Sequence, residues 1–174
     1  MKKMEDYIRS IPDFPEKGVI FRDITSVLQD AEGLKLAIDS MIHLLDGVEF
    51  DVIAGTEPPG FIFGMPIAYA MGKPFVLIRK AGKLPCETVS QEYALEYGTA
   101  VIEMHKDSIQ PGQRVVLVDD LIATGGTIKA AARLVEKLGG EVVKIIFLME
   151  LAGLKGREKL AGYDVASVVT YEGK

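Results

Sequence analysis

The chain has 174 residues, 48% of them hydrophobic, which is the size of one ordinary domain with enough apolar material for its own core. Its 20 basic residues stand against 25 acidic ones, a net charge of −5, so there is no basic footprint for a nucleic-acid backbone and nucleic acid is excluded as a main partner. Cys86 is the only cysteine; no internal disulfide can form, and a free thiol suits a reducing, cytoplasmic compartment.

In chain order, residues 4–11 carry apolar side chains at helical spacing and predict a short amphipathic helix. Pro12 and Pro15 stop it, because proline drives the preceding residue out of helical geometry. Residues 1–10 lack the apolar core and the cleavage site of a signal peptide, so no export is expected. Asp30 can cap a helix over 31–46, with Leu34, Ala37, Ile38, Met41, Ile42 and Leu45 on one face. Short apolar runs rich in β-branched residues at 50–54, 74–79, 114–119 and 142–148 read as buried parallel strands. Helical patterns at 60–71 and 127–138 lie between them, which gives the strand, helix, strand alternation of an α/β fold with a parallel sheet. The stretch 60–71 is the longest apolar one; Pro66 interrupts it, and it falls well short of the roughly 20 residues a bilayer crossing needs. It reads as a buried helix, and no membrane partner is expected.

Two stretches break this rhythm: residues 1–30 precede the sheet, and residues 81–104 look like a long polar hairpin. Long excursions in compact domains are usually functional or disordered. With no repeat, linker or low-complexity tract, the chain reads as a single domain over 1–174, with 1–30 as a hood segment and 81–104 as a flexible lid hairpin.

The chemistry is concentrated at 115–127. Val115 to Val118 are a fully apolar strand that delivers Asp119 and Asp120, then Ala123, Thr124, Gly125, Gly126 and Thr127, at its carboxyl end, where open α/β sheets bind ligands. The two glycines let the backbone approach an anion, and the following helix presents free N–H groups at its positive dipole end. Two carboxylates beside a bare phosphate would repel it; they make sense as acceptors for a vicinal diol. Sugar hydroxyls next to a phosphate cradle describe a ribose 5-phosphate. Neither a G-x-G dinucleotide fingerprint nor a Walker A loop occurs in the chain.

The run V-L-V-D-D-L-I-A-T-G-G-T resembles the phosphoribosyl pyrophosphate (PRPP) motif of type I phosphoribosyltransferases. I-P-D-F-P-E-K-G-V-I-F-R-D-I-T from Ile11, R-K-A-G-K-L-P from Arg79, L-E-Y-G-T from Leu95 and L-K-G-R-E-K-L from Leu154 resemble the adenine phosphoribosyltransferases specifically, over nearly the whole chain. The resemblance implies a type I phosphoribosyltransferase fold, formation of AMP and diphosphate from adenine and PRPP, Mg2+ held mainly by PRPP rather than by a protein metal site, and a homodimer. It maps the base pocket onto Ile20, Phe21 and Arg22, with Leu151 closing the other side, and places a lid glutamate near the purine at Glu96. An apolar slot with main-chain donors and acceptors suits adenine's edge. Arg79, Lys80 and Lys83 form a compact cationic group suited to departing diphosphate, and the resemblance implies that they act across a dimer interface.

One segment departs from the family. The diphosphate loop, which usually ends in arginine, glycine and phenylalanine, reads T-E-P-P-G-F, so that Glu57, Pro58, Pro59 and Gly60 form it and Pro59 replaces the arginine. A cationic side chain and two backbone donors are lost there. Related loops hold a cis peptide, and cis is only ~0.5–1 kcal/mol uphill before proline, so the Glu57–Pro58 or the Pro58–Pro59 bond is expected to be cis. Cys86 has no histidine near it in sequence and reads as a non-catalytic thiol. His43 and His105 have no second ligand at metal-binding spacing.

Displacement at the anomeric carbon builds positive charge on the sugar as diphosphate leaves, so a catalyst must neutralise the leaving group and exclude water. Asp119 and Asp120 are expected to fix the ribose, 123–127 its phosphate, and Glu96 with the closed lid to assist at the base. Two other readings remain open: a PRPP-binding regulator with weak or no activity, and a phosphoribosyltransferase for another purine.

Overall fold

The computed structural model describes residues 1–173. The chain opens with a 3-10 turn at Met4–Asp6, then β1 (Arg9–Pro12), β2 (Ile20–Asp23), α1 (Thr25–Leu28) and α2 (Ala31–His43). The central elements follow as β3 (Val52–Thr56), α3 (Pro59–Met71), β4 (Phe75–Lys80), β5 (Thr88–Leu95), β6 (Gly98–His105), β7 (Arg114–Ile122), α4 (Gly126–Lys137) and β8 (Glu141–Leu151). A short α5 (Gly156–Lys159) and β9 (Val165–Tyr171) complete the described chain.

Among the described residues, seven strands form one sheet in the order β5-β6-β4-β3-β7-β8-β9. The five strands from β4 to β9 in that order are mutually parallel. The hairpin β5-β6 joins the β4 edge antiparallel, through Arg79 opposite Glu103 and Lys80 opposite Ile102. The period-two alternation of strand side chains assigns the two faces. Val115, Leu117, Ile145 and Phe147 pack with α4, whereas Val116, Val118, Ile146 and Leu148 pack with residues of α2 and α3. Both faces of β7 are therefore covered, and Val115 to Val118 have no exposure at all, as a parallel strand with helices on both sides requires.

Helix α2 begins where its sequence predicts, because the Asp30 carboxylate accepts the backbone N–H groups of Glu32 and Gly33 at 2.9 and 3.0 Å. Pro66 lies inside α3, whose buried face includes Phe63 and Ile67. The helix expected over 4–11 does not form. Ser26 Oγ donates to the Tyr7 carbonyl and accepts the Arg9 N–H, which draws the chain out after one 3-10 turn, and Arg9 to Pro12 then pair antiparallel with Ile20 to Asp23. Met4 and Ile8 still reach the core. β9, rich in valine, adds a fifth parallel strand to the four expected.

Candidate active site

β3 runs on to β4 on one side, and the chain later returns to β7 on the other side of β3. Connections diverge there, so the carboxyl ends of β3 and β7 leave a crevice between them. A cavity of about 290 Å³ occupies it, lined by Thr56, Glu57 and Pro59 from the β3 side, and by Asp119 to Ile128 from the β7 side. Lys80 and Tyr93 close its rim. The peptide between Glu57 and Pro58 is cis, one of the two bonds expected to be so; Pro58–Pro59 is not.

The phosphate-type loop is built as its sequence predicts. Gly125 has φ 86° and caps α4. An added Cβ there would lie 2.7 Å from the Gly156 carbonyl oxygen, so the position excludes side chains twice over. Thr124, Gly126 and Thr127 all face the cavity beside the N-terminus of α4, whose first N–H groups lack intrahelical partners.

Asp119 and Asp120 sit side by side at the top of β7. Thr56 Oγ1 donates to Asp119 Oδ2 at 2.9 Å, and the Asp120 N–H donates to Asp119 Oδ1 at 2.8 Å. Burial, and then the neighbouring Asp120 charge, push the Asp119 carboxyl well above the usual range; burial raises Asp120 as well. Two crowded carboxyls held in this way are primed for hydroxyl donors or a cation, because either relieves the cost of their charge.

On the β3 side, Glu57 organises the cationic group. Its Oε2 accepts both Nε and Nη2 of Arg79 at 3.0 Å, and its Oε1 accepts the Lys80 N–H at 2.7 Å and lies 3.5 Å from Lys83 Nζ. Burial opposes ionisation of Glu57, but these donors outweigh it and hold the carboxyl below its ordinary value. Arg79 and Lys83 are therefore paired within their own chain, while the Lys80 side chain reaches the cavity. Pro59 occupies the first turn of α3 and lines the cavity. Gly60 is buried behind it.

The remaining predicted residues lie away from the cavity wall. Glu96 and Tyr97 form the exposed two-residue turn between β5 and β6. Ile20 and Phe21 are exposed on β2, where the Phe21 ring meets Phe14 edge-on at 5.3 Å. Arg22 donates to Ser10 Oγ at 2.5 Å and lies 3.9 Å above the Tyr171 ring, while its buried Nε has no hydrogen-bond partner among the described residues. Leu151 ends β8 opposite Tyr171, so Arg22 and Leu151 have Tyr171 as a shared neighbour. Cys86 is exposed, with its N–H 3.4 Å from His105 Nε2.

Sequence reading missed Thr56 and Tyr93. Among the described residues Thr56 is one of two buried polar or charged ones, and a threonine closing an apolar strand was a readable signal. Tyr93 reaches the cavity only because the hairpin folds against α4, which no local pattern announces.

Residues 25–170 match the phosphoribosyl transferase domain, and the chain belongs to that family. Within it, the chain groups with the adenine phosphoribosyltransferases. It is 74% identical over 174 residues to the adenine phosphoribosyltransferase of Agathobacter rectalis, covering 100% of both chains. The crystal structure of adenine phosphoribosyltransferase from Thermoanaerobacter pseudethanolicus is 56% identical, covers 97% of this chain and 98% of that one, and superposes with a TM-score of 0.93. The Saccharomyces cerevisiae adenine phosphoribosyltransferase, complexed with D-2,5-dideoxy-2,5-imino-altritol 1,6-bisphosphate and adenine, is 37% identical with a TM-score of 0.88, over 95% of this chain and 96% of that one.

Proposed function

We infer that this enzyme of purine salvage forms AMP and diphosphate from adenine and PRPP in the crevice between β3 and β7, with the ribose held by Asp119 and Asp120. The observation that carries the site assignment is the crowded aspartate pair set beside a glycine loop of free N–H donors, in one cavity. The carboxyls accept the 2- and 3-hydroxyls; Ala123, Thr124, Gly125, Gly126 and Thr127 hold the 5-phosphate. Diphosphate faces the loop of Glu57, Pro58, Pro59 and Gly60, with Arg79, Lys80 and Lys83 as the cations around it. Lys80 projects into the cavity directly, and Glu57 holds Arg79 and Lys83 in reach.

Residues 1–30 act as a hood that brings Ile20, Phe21 and Arg22 over adenine, with Leu151 opposite. Residues 81–104 act as a lid within the same domain, which carries Glu96 to the purine on closing and excludes water. Holding the anomeric carbon in line between base and diphosphate supplies most of the acceleration.

Mg2+ fits this donor set. Among the described residues no three His, Cys, Asp or Glu side chains converge as a cage, but the strained charge of Asp119 and Asp120 and the oxygens of PRPP suit a hard cation that keeps few protein ligands. Bound there, the ion supplies charge neutralisation for the leaving diphosphate.

A homodimer is supported by an unpartnered apolar stripe. Ile62, Met65 and Tyr69 share one face of α3 at helical spacing, and all three are exposed, Tyr69 at 89%. No helix among the described residues is long and apolar enough to cross a membrane; we place the enzyme in the cytoplasm, where the exposed Cys86 thiol stays reduced. The test of the site is diphosphate release from PRPP and adenine with Mg2+, compared between the wild type and the Asp119→Asn, Asp120→Asn double variant. Release that survives the double replacement would remove the aspartates from the reaction.

A further inference from the structure

The motif L-K-G-R-E-K-L from Leu154 has no role in the site as described so far, yet it lies directly behind the phosphate loop. An added Cβ at Gly156 would collide with the Ala123 carbonyl oxygen and would sit 2.7 Å from the Ile122 side chain, while Gly125 abuts the Gly156 carbonyl from the other side. Two backbone segments are thus in van der Waals contact, and only glycine at 156 allows it.

This second segment is fixed independently. Arg157 Nε donates to both carboxylate oxygens of Glu150 at 2.9 Å, and its Nη1 donates to the Val165 carbonyl at 2.8 Å. Among the described residues Glu150 is the one charged residue that is buried; it also accepts from Ser167 Oγ at 3.2 Å and stands opposite Ile122 across β7 and β8. The ion pair therefore ties α5 to the strand next to the phosphate loop.

Lys159 follows Gly156 by three residues and shares its helix face. Its Nζ lies 4.0 Å from the point where a Gly126 Cβ would be, with the Tyr93 ring 3.9 Å from the same point. Among the described residues no carboxylate lies within 4.0 Å of Lys159.

Charge gives this ammonium a task. The acidic and basic residues lining the cavity are Glu57, Lys80, Asp119 and Asp120, so three carboxyl groups face one cation. A phosphate monoester brings about −1.5 to −2 at neutral pH, and the cradle at 123–127 contains hydroxyls and N–H groups but no charged donor. We propose that Lys159 binds the substrate's 5-phosphate from behind the loop, with Gly156 and the Arg157–Glu150 pair as its positioning frame. This rests on the reading of 123–127 as the ribose phosphate site.

The test titrates wild type, K159Q and K159R with ribose 5-phosphate, AMP and inorganic diphosphate, and measures steady-state turnover of PRPP. K159Q should weaken ribose 5-phosphate and AMP alike by roughly tenfold, the scale of one exposed charge-assisted contact, and leave diphosphate within twofold. KM for PRPP should rise with kcat unchanged, because the 5-phosphate is bound equally in ground and transition states, and K159R should recover most of the loss. Unchanged ribose 5-phosphate binding in K159Q overturns the role of Lys159 alone, and so does an equal loss for diphosphate. A wild-type protein that binds no ribose 5-phosphate overturns the loop reading and Lys159 with it.

Discussion

Replacing Glu57 by glutamine tests whether this carboxylate organises the diphosphate end of the site. Its two oxygens receive three short hydrogen bonds, two from Arg79 and one from the Lys80 N–H, and Lys83 Nζ stands 3.5 Å away. Glutamine can keep its oxygen on the Lys80 N–H, but its NH2 then faces the guanidinium, donor against donor. Charge-assisted bonds of this kind contribute about 1.5–3 kcal/mol each. Arg79 is 32% exposed and Lys83 49% exposed, so both can turn to water, and the net loss reduces to about 1–2 kcal/mol. That corresponds to a Tm lowered by about 2–8 °C for a domain of this size. Because the Glu57 carboxyl is held below its ordinary value, its contribution is complete above the unfolded glutamate range near pH 4.3 and disappears as pH falls through the depressed folded value. The stability gap between the wild type and E57Q should therefore be full at pH 7 and close in acid. KM for PRPP should rise about tenfold, as Arg79 and Lys83 lose their common anchor. Thermal melts from pH 7 down to pH 3, with steady-state kinetics at pH 7, measure both; equal melting at pH 7 with an unchanged KM would refute the organising role.

Asp119→Asn should have the opposite effect on stability. The folded Asp119 carboxyl is raised, so the folded state holds its proton more tightly and loses stability as pH rises from the unfolded value through the folded one. The neutral amide should stabilise the unliganded protein at pH 7.5 by about 0.5–2 kcal/mol while abolishing the stabilisation that PRPP gives the wild type; urea denaturation with and without PRPP reads both. Pro59→Arg restores a cation in the cavity lining and should lower the Kd for diphosphate about tenfold, measured by calorimetry, since one charge-assisted contact is worth roughly that factor. Met65→Glu places a charge in the middle of the exposed Ile62, Met65 and Tyr69 stripe; light scattering should report a monomer in place of a dimer, with the monomer's melting temperature at dilution little changed.

The parallel sheet was legible because β7 and its neighbours are continuous apolar runs, which only a strand buried on both faces tolerates. Legible for the same reason were the carboxyl end of β7 and the loop after it, where the polar residues of 119–127 follow four residues without a polar atom in their side chains. The first ten residues were misread because Met4 and Ile8 keep a helical spacing while Ser26, distant in sequence, takes the backbone hydrogen bonds that a helix would have made. The cationic group was legible as a cluster but not as a paired one, since Glu57 and Arg79 are 22 residues apart. Gly156 and Lys159 were out of reach for the same reason: their place behind the 123–127 loop goes with the pair between the buried Glu150 carboxylate and the half-exposed Arg157, and neither residue type by itself marks a pair.

On the proposed function, this crevice joins PRPP to adenine. Mixing the protein with PRPP and Mg2+ and offering adenine, hypoxanthine, guanine and xanthine in turn, with product nucleotide and diphosphate quantified, tests it most directly. Adenine should give AMP and an equal amount of diphosphate, and the other three bases no nucleotide. Comparable turnover of another purine would contradict the base assignment, and tight PRPP binding without any turnover would contradict the catalytic one.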